Sequence, residues 1–504
     1  MILRTFSTLC LSLVLLRGAP PAAVTPSAGV LEAKLNRVRN NPAALYAFLL
    51  KMPKGADLHS HLSGAVYAES YLHQAAAAGL CIDTQALSYV APAASDNGRC
   101  KPDQVSAAQT ETNVDLANKM IDSLSMRAFV PGRESGHDHF FATFDKFAAV
   151  SHRSEGEAVA EVVERAAQQN ESYLELMALT AGSRVFQLGE EAGFTGDFEA
   201  AKNKLIGLGL EKDIPALQQR VDGLERDRIH LLHCDTEPGS AACRVKVNYI
   251  FQVLRNMPKE VVFAQTLAGF MLAAADPRVV AINFVQPEDY LYSMRDYHLH
   301  MQMVDYAKRL YPKVRIALHA GELTLGLVPP EGLRFHIREA VILGHAERIG
   351  HAVSIGYEFD SADTLRIMKQ QHVDVEVNLT SNDTILGVRG KDHPFFLYRD
   401  AGVPITLSTD DEGVGRTHLT EEYRRAVETY GLSYADLKRI VRNSLEFSFL
   451  PGASYWMNIA YREPATVCAR ASRSSLCEAF LKTSAKARAE ADLEQRFAVF
   501  EAGN

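Results

Sequence analysis

The sequence predicts an α/β protein, an eight-stranded β/α (TIM-type) barrel, and three observations point there. Short apolar runs alternate with longer, more polar stretches of helical periodicity, eight such runs can be counted, and imidazole or carboxylate groups gather at the ends of several of them. Strands that alternate with helices pair in parallel through right-handed crossovers, and eight such units close into a barrel with its site at the strand C-terminal ends. A doubly wound open sheet is the alternative.

Residues 1–23 have the layout of a secretory signal: Arg4, an apolar stretch from Leu9 to Leu16 too short to span a bilayer, then the small-residue and proline segment Gly18 to Ala28. Residues 24–52 form an N-terminal helical segment, since Leu31, Leu35, Val38, Leu45, Phe48 and Leu49 recur near helical spacing from Val30 to Leu50, before Pro53. The barrel is expected over 53–452. Its strands fall at Ala56–Leu58, Tyr173–Met177, Ile229–Leu232, Val279–Phe284, Val314–Leu318, Arg348–Gly350, Val373–Val377 and Val403–Leu407. The first two runs are separated by an insertion of about 80–165, whose stretch Ala91 to Gln109 is expected over the barrel mouth. A C-terminal helical extension takes 453–504.

Composition narrows the function classes. With 61 acidic and 53 basic residues in 504, a net charge of -8 and no basic run, nucleic acid is disfavoured as a partner. No stable membrane insertion is expected once the signal is cleaved, and a homodimer is compatible with the sequence. Cleavage removes Cys10 and leaves six cysteines in three local pairs, Cys81 with Cys100, Cys234 with Cys243 and Cys468 with Cys477, as suits a secreted or periplasmic chain.

His59 and His61 follow the first run as His-Ser-His, and alternate residues of a strand share a face, so both imidazoles can address one ion. Spacing alone is weak. His137 with His139 and His298 with His300 repeat it, the second pair on a helical stretch where a two-residue step separates the side chains by roughly 200 degrees, and neither is expected to bind metal. What singles out His59 and His61 is the company at later strand ends: His319 with Glu322, then His351, then Asp410 and Asp411.

The blocks MPKGADLHSHLSGA, HAGE, RIGHA, LTSND and LSTDD, in this order and spacing, make the chain resemble the adenosine deaminase family of metal-dependent hydrolases over most of Met52 to Gly452. The opening MPKG, the signal and the long insertion are most similar to the secreted adenosine deaminase-related growth factors and their bacterial relatives. The resemblance implies one zinc ion per chain held by His59, His61, His319 and Asp410. Three imidazoles and a carboxylate suit Zn²⁺ and leave a position for water. It also implies that Glu322 donates a proton to purine N1, that His351 orients the attacking water and takes its proton, and that Asp411 accepts from the water or holds purine N7. The fourth run, VVAINFVQ, offers no lysine to bridge a second metal.

The sequence departs from the family pattern at the substrate. Ser63 stands where the compact enzymes have a ribose-contacting aspartate, Gln286 where a glycine N–H meets purine N3, and Pro287 follows without an N–H; Ala352 replaces a glycine after His351, a small change that places no obvious atom in the site. The aromatic run SGHDHFFATFDKF, beginning at Ser135, either lines a lid or packs the insertion onto the barrel. The implied activity is hydrolytic deamination of adenosine or a close analogue to inosine and ammonia, with a purine nucleoside as the small-molecule partner. Other 6-aminopurines (adenine, a methylated adenosine, an adenine nucleotide) and a secreted signalling or binding protein on the same barrel are the alternatives. The ligand set of cytidine-type deaminases, HxE together with PCxxC, is not complete in the sequence, which has no PCxxC.

Overall fold

The computed structural model describes residues 26–92, 98–469 and 474–503, so the expected signal segment and Cys10 lie outside the described residues. In chain order the strands are β1 (Gly55–His61), β2 (Cys81–Asp83), β3 (Ser88–Val90), β4 (Gln104–Ser106), β5 (Glu171–Thr180), β6 (Lys246–Leu254), β7 (Val279–Val285), β8 (Arg315–Ala320), β9 (Arg348–His351), β10 (Asp374–Val377) and β11 (Ile405–Leu407). Eight of them form one sheet in the order β1-β5-β6-β7-β8-β9-β10-β11, every neighbouring pair parallel. A parallel bridge between Ser60 and Asp410 joins the ends, with the His61 N–H donating to the Asp410 carbonyl (3.1 Å) and the Asp410 N–H to the His59 carbonyl (2.9 Å). The sheet is thus a barrel with helices outside, and the β/α barrel expectation holds.

One expected strand is wrong. Ile229–Leu232 closes the helix Ile214–Leu231, with Ile229 and Leu231 on its exposed side, and the third barrel strand is β6, reading KVNYIFQVL. Asn248 and Gln252 break its apolar run, and both serve other side chains: Asn248 Nδ2 donates to the Tyr173 hydroxyl (2.9 Å), and Gln252 meets His61. The N-terminal segment is likewise two helices, Pro26–Val38 and Pro42–Lys51, where one was expected. Asn41 accepts from the Ala44 N–H through its side chain and Pro42 takes the first helical position, a start signal inside the periodic run.

Between β1 and β5 the chain makes a three-stranded antiparallel sheet, β3-β2-β4, and the helix Gly136–Ser151. The helix Glu155–Gln168 then packs on β5 as a barrel crossover does. At the other end of the chain the helices Ser475–Thr483 and Ala485–Ala502 follow an irregular stretch. Disulfides join the three expected cysteine pairs. Among the described residues no helix is long and apolar enough to cross a membrane.

Candidate active site

β1 ends with His59 and His61 on one face, β8 with His319, and Asp410 follows β11. Barrel closure brings these ends together: one ligand atom from each of the four residues lies within 4.8 Å of the others. The orientation of the three imidazoles is set from behind. His59 Nδ1–H donates to Glu376 Oε2 of β10 (2.7 Å), His61 Nδ1–H to Gln252 Oε1 of β6 (3.0 Å), and His319 Nδ1–H to Asn283 Oδ1 of β7 (2.9 Å). Each ring therefore presents Nε2 to the centre. His61 Nε2 and His319 Nε2 stand 3.1 Å apart, and Asp410 Oδ1 is 3.5 Å from His59 Nε2 and 3.4 Å from His61 Nε2.

This donor set fits a zinc ion. Metal-bound histidines usually have the second ring nitrogen held by a carboxylate or carbonyl, as all three have here. His59 Nε2 is fully buried and has no hydrogen-bond partner among the described residues, which is costly for a polar atom with nothing to bind. Burial opposes a charge on His59, yet the neighbouring Asp410 and Glu376 carboxylates outweigh it and push the imidazole up to about 10. Glu376 is paired with the buried Arg348 guanidinium, whereas Asp410 has no lysine or arginine on it among the described residues and so calls for a cation at this point. The remaining Asp410 oxygen, Oδ2, accepts from the Ser381 hydroxyl (2.6 Å).

Beside the four lie the other expected groups. Glu322, two residues past β8, has Oε1 3.6 Å from His351 Nδ1, whose N–H donates to Asn382 Oδ1 (2.9 Å), while His351 Nε2 is 3.8 Å from Asp410 Oδ2. Burial, then the Asp410 and Glu288 carboxylates, raise the Glu322 carboxyl well above the usual range, and burial lowers His351. Burial and then Asp410 likewise raise the Asp411 carboxyl, whose Oδ1 has no hydrogen-bond partner among the described residues. Asp411 packs so tightly on Gly64 that a Cβ there would sit 1.6 Å from Asp411 Oδ1. A Cβ at Gly350 would sit 2.5 Å from His59 Cε1, so the glycine of RIGHA makes room for a ligand ring. His351 (φ 66°) and Asp410 (φ 61°) hold left-handed backbone, a strain of the kind concentrated at functional sites.

A cavity of about 430 Å³ opens over these groups. Phe140, Phe141, Phe144 and Phe147 of the helix Gly136–Ser151 form its aromatic wall, with Phe140 and Phe147 also buried in the core, so the aromatic run both lines the cavity and anchors the insertion. Of the stretch expected over the mouth, none of the described residues 98–109 lines the cavity, and β4 is taken up in the small sheet. Ser63 lines it, with its carbonyl accepting from the Tyr71 hydroxyl (2.7 Å). Gln286 lines it too, although its Oε1 already accepts the Asn256 N–H (2.8 Å). Among the described residues no lysine or arginine lines this cavity.

The other His-x-His pairs form no metal-type group among the described residues. His137 is buried between Asp138 (2.9 Å) and Asp289 (2.9 Å), His139 Nε2–H donates to the Ser125 carbonyl, His298 faces Glu339, and His300 is buried beside Phe284. Sequence reasoning missed the bracing residues Glu376, Gln252 and Asn283. The available signal was a charged or amide residue interrupting an apolar strand run, as in VDVEV, IFQVL and AINFV.

A family model described as adenosine deaminase matches residues 212–455. The adenosine deaminase of Shewanella woodyi is 26% identical over 70% of this chain and 91% of its own length. That of Clostridium perfringens is 34% identical over 27% of this chain, and the chain spans 38% of the length of that relative. Among solved structures, the apo N6-methyl-AMP deaminase from Arabidopsis thaliana superposes with a TM-score of 0.51 at 22% identity, covering 81% of this chain and 94% of its own, a likeness of fold.

Proposed function

From the match of residues 212–455 to the adenosine deaminase family model and the likeness to the Shewanella woodyi adenosine deaminase, we propose that the chain is a member of that family and a zinc-dependent aminohydrolase that replaces the 6-amino group of adenosine, or a close analogue, with oxygen and releases ammonia. The observation that carries this reading is the convergence of three imidazole Nε2 atoms and Asp410 on one point, each ring held by its second nitrogen, with Glu322 and His351 beside it under one cavity.

Held by His59, His61, His319 and Asp410, zinc supplies the Lewis acidity that makes water nucleophilic near neutral pH. The residues around it do the rest. Glu322, kept protonated by burial and by neighbouring carboxylates, delivers its proton to purine N1 and so makes C6 electrophilic. His351, kept neutral by burial and turned by Asn382, takes the proton of the attacking water. Asp411, whose burial beside Asp410 favours the protonated form, donates to purine N7. The C6–O bond forms, the C6–N bond breaks as the amino group takes the proton held by His351 and leaves as ammonia, and the C6 hydroxyl proton returns to Glu322 as the 6-oxo group forms.

Ser63 and Gln286 line the cavity wall, and this reading sets them toward the sugar and the base. A lining without lysine or arginine favours an uncharged nucleoside over a nucleotide. Three disulfides favour a site of action outside the reducing cytoplasm. A full set of acid, base and ligand groups favours an enzyme over a binding protein on the same barrel. The test is ammonia release across adenosine, adenine, N6-methyladenosine and AMP, with and without a chelator. The expected result is fastest release from an uncharged nucleoside, abolished by chelation and restored by zinc. Release that survives full removal of metal overturns the reading.

A further inference from the structure

Behind the turn that carries Glu322 lies a carboxylate with no path to the cavity. Glu288, three residues past β7, is 1% exposed. Its Oε1 accepts the Gly321 N–H (3.1 Å) and its Oε2 the Glu322 N–H (2.8 Å). His336 Nδ1–H also donates to Oε1, and the His336 ring, fully buried, stacks on Tyr297 with 3.9 Å between centroids. Arg255, just past β6 and 1% exposed, fastens the preceding part of the same segment: its Nη1 donates to the His319 carbonyl (3.1 Å) and its Nε to the Gln286 carbonyl (2.9 Å).

Two successive amide N–H groups bound by one carboxylate fix the plane of the peptide between residues 321 and 322, and with it the direction in which the Glu322 side chain leaves the backbone. Gly321 has φ 78°, and its carbonyl, on the same peptide, accepts the Ser354 N–H (2.9 Å), so Glu288 holds one edge of that peptide and Ser354 the other. Resting on the reading of Glu322 as the proton donor, we propose that Glu288 is a positioning residue for the reaction, clamping the backbone of residues 321 and 322 so that the Glu322 carboxyl is delivered to the purine nitrogen. Burial alone would raise the Glu288 carboxyl, but the His336 imidazole, Arg255 and the Gly321 N–H outweigh it and hold it at about 2, so the clamp stays an acceptor-only anion while Glu322 gains and loses its proton. A misplacement of about 1 Å at a reacting group costs on the order of 10²-fold in rate.

The experiment measures kcat, KM for adenosine, zinc content and melting temperature in Glu288→Gln, Glu288→Asp and the double variant Glu288→Gln/Glu322→Gln. A glutamine must turn its NH₂ toward one of the two N–H donors, and an aspartate is too short to reach both. Both single variants are expected to lose about 30- to 100-fold in kcat, with KM within about threefold and zinc content unchanged. A residue that acts through Glu322 has nothing left to position once the acid is gone, so the double variant should run within about threefold of Glu322→Gln alone. Should Glu288→Gln fail to fold, Glu288→Asp reads the same split. The proposal is overturned if either folded variant keeps kcat near wild type, if the loss tracks lost zinc or lost folded protein, or if the two substitutions multiply. A wild-type protein that releases no ammonia from any 6-aminopurine refutes the proposed function and this inference with it. An active wild type in which Glu322→Gln is slow and the Glu288 variants are fast refutes the clamp alone.

Discussion

The two sides of the cavity are built by different rules. On the floor, groups from the ends of β1, β8, β9 and β11 are held by bonds that leave them one orientation: His59 by Glu376, His61 by Gln252, His319 by Asn283, His351 by Asn382 and Asp410 by Ser381. On the opposite wall a helix inserted in the first crossover offers Phe141 and Phe144 at half-buried positions, where only packing restrains them. A reaction centre needs fixed geometry, which short polar contacts from neighbouring strands and from the helix Leu379–Leu386 supply, whereas a wall that meets a substrate can adapt. The difference separates chemistry from specificity along the chain.

Substitutions on the floor should remove the reaction, and those on the wall should change only what binds. The largest effect is expected for His61→Ala, which takes one of the four proposed ligands. Zinc content by atomic emission should fall well below one per chain and ammonia release should drop to background. Full zinc occupancy in that variant would void the ligand assignment. Next comes Glu322→Gln, which keeps size and removes the transferable proton, with an expected kcat loss of at least ~10²-fold at unchanged zinc content. The same acid sets a pH dependence. Because burial and its neighbours raise the Glu322 carboxyl and the proposed mechanism uses its protonated form, kcat should be sustained at neutral pH and fall as pH rises through that raised value, a limb that Glu322→Gln should lack.

A smaller effect is expected from the bracing shell. Glu376→Gln leaves every ligand in place but weakens the hold on His59, and zinc affinity measured by competition with a chelator should fall roughly 10- to 100-fold. The smallest belongs to the aromatic wall. Phe141→Ala should raise KM for adenosine about tenfold, the scale of about 1.5 kcal/mol of lost apolar contact, with kcat and zinc content unchanged. A kcat loss in Phe141→Ala as large as that of Glu322→Gln would erase the distinction between floor and wall.

That division also governs how much was legible in the sequence. The proposed ligand and acid positions stand out because each lies in a short block whose spacing is local: His59 and His61 share a strand face two residues apart, and HAGE carries the proposed ligand His319 and the proposed acid Glu322 within one turn. The cysteine pairs are local too, 19, 9 and 9 residues apart. The bracing residues were not legible, since Glu376 is 317 residues from His59 and Gln252 is 191 from His61, distances at which one sequence records no pairing. The same physics hid β6: its inward Asn248 and Gln252 satisfy Tyr173 and His61, so the strand lacks the apolar run by which its neighbours were recognised, while the apolar cluster Ile229–Leu232 ends a helix with two of its side chains in solvent.

By itself the sequence determined the alternation of strands and helices, the side chains able to hold a metal and move a proton, and the local cysteine pairing, because periodicity, chemical type and short-range reach are properties of neighbouring residues. Only the tertiary structure decided which side chains hold the imidazoles in place, that the helix Gly136–Ser151 and not the stretch before it walls the cavity, and that Glu288 lies against the backbone of Glu322. Those relations arise when the barrel closes between Ser60 and Asp410, and closure brings together polar groups whose need for partners in a buried interior is met by whichever strand end arrives alongside.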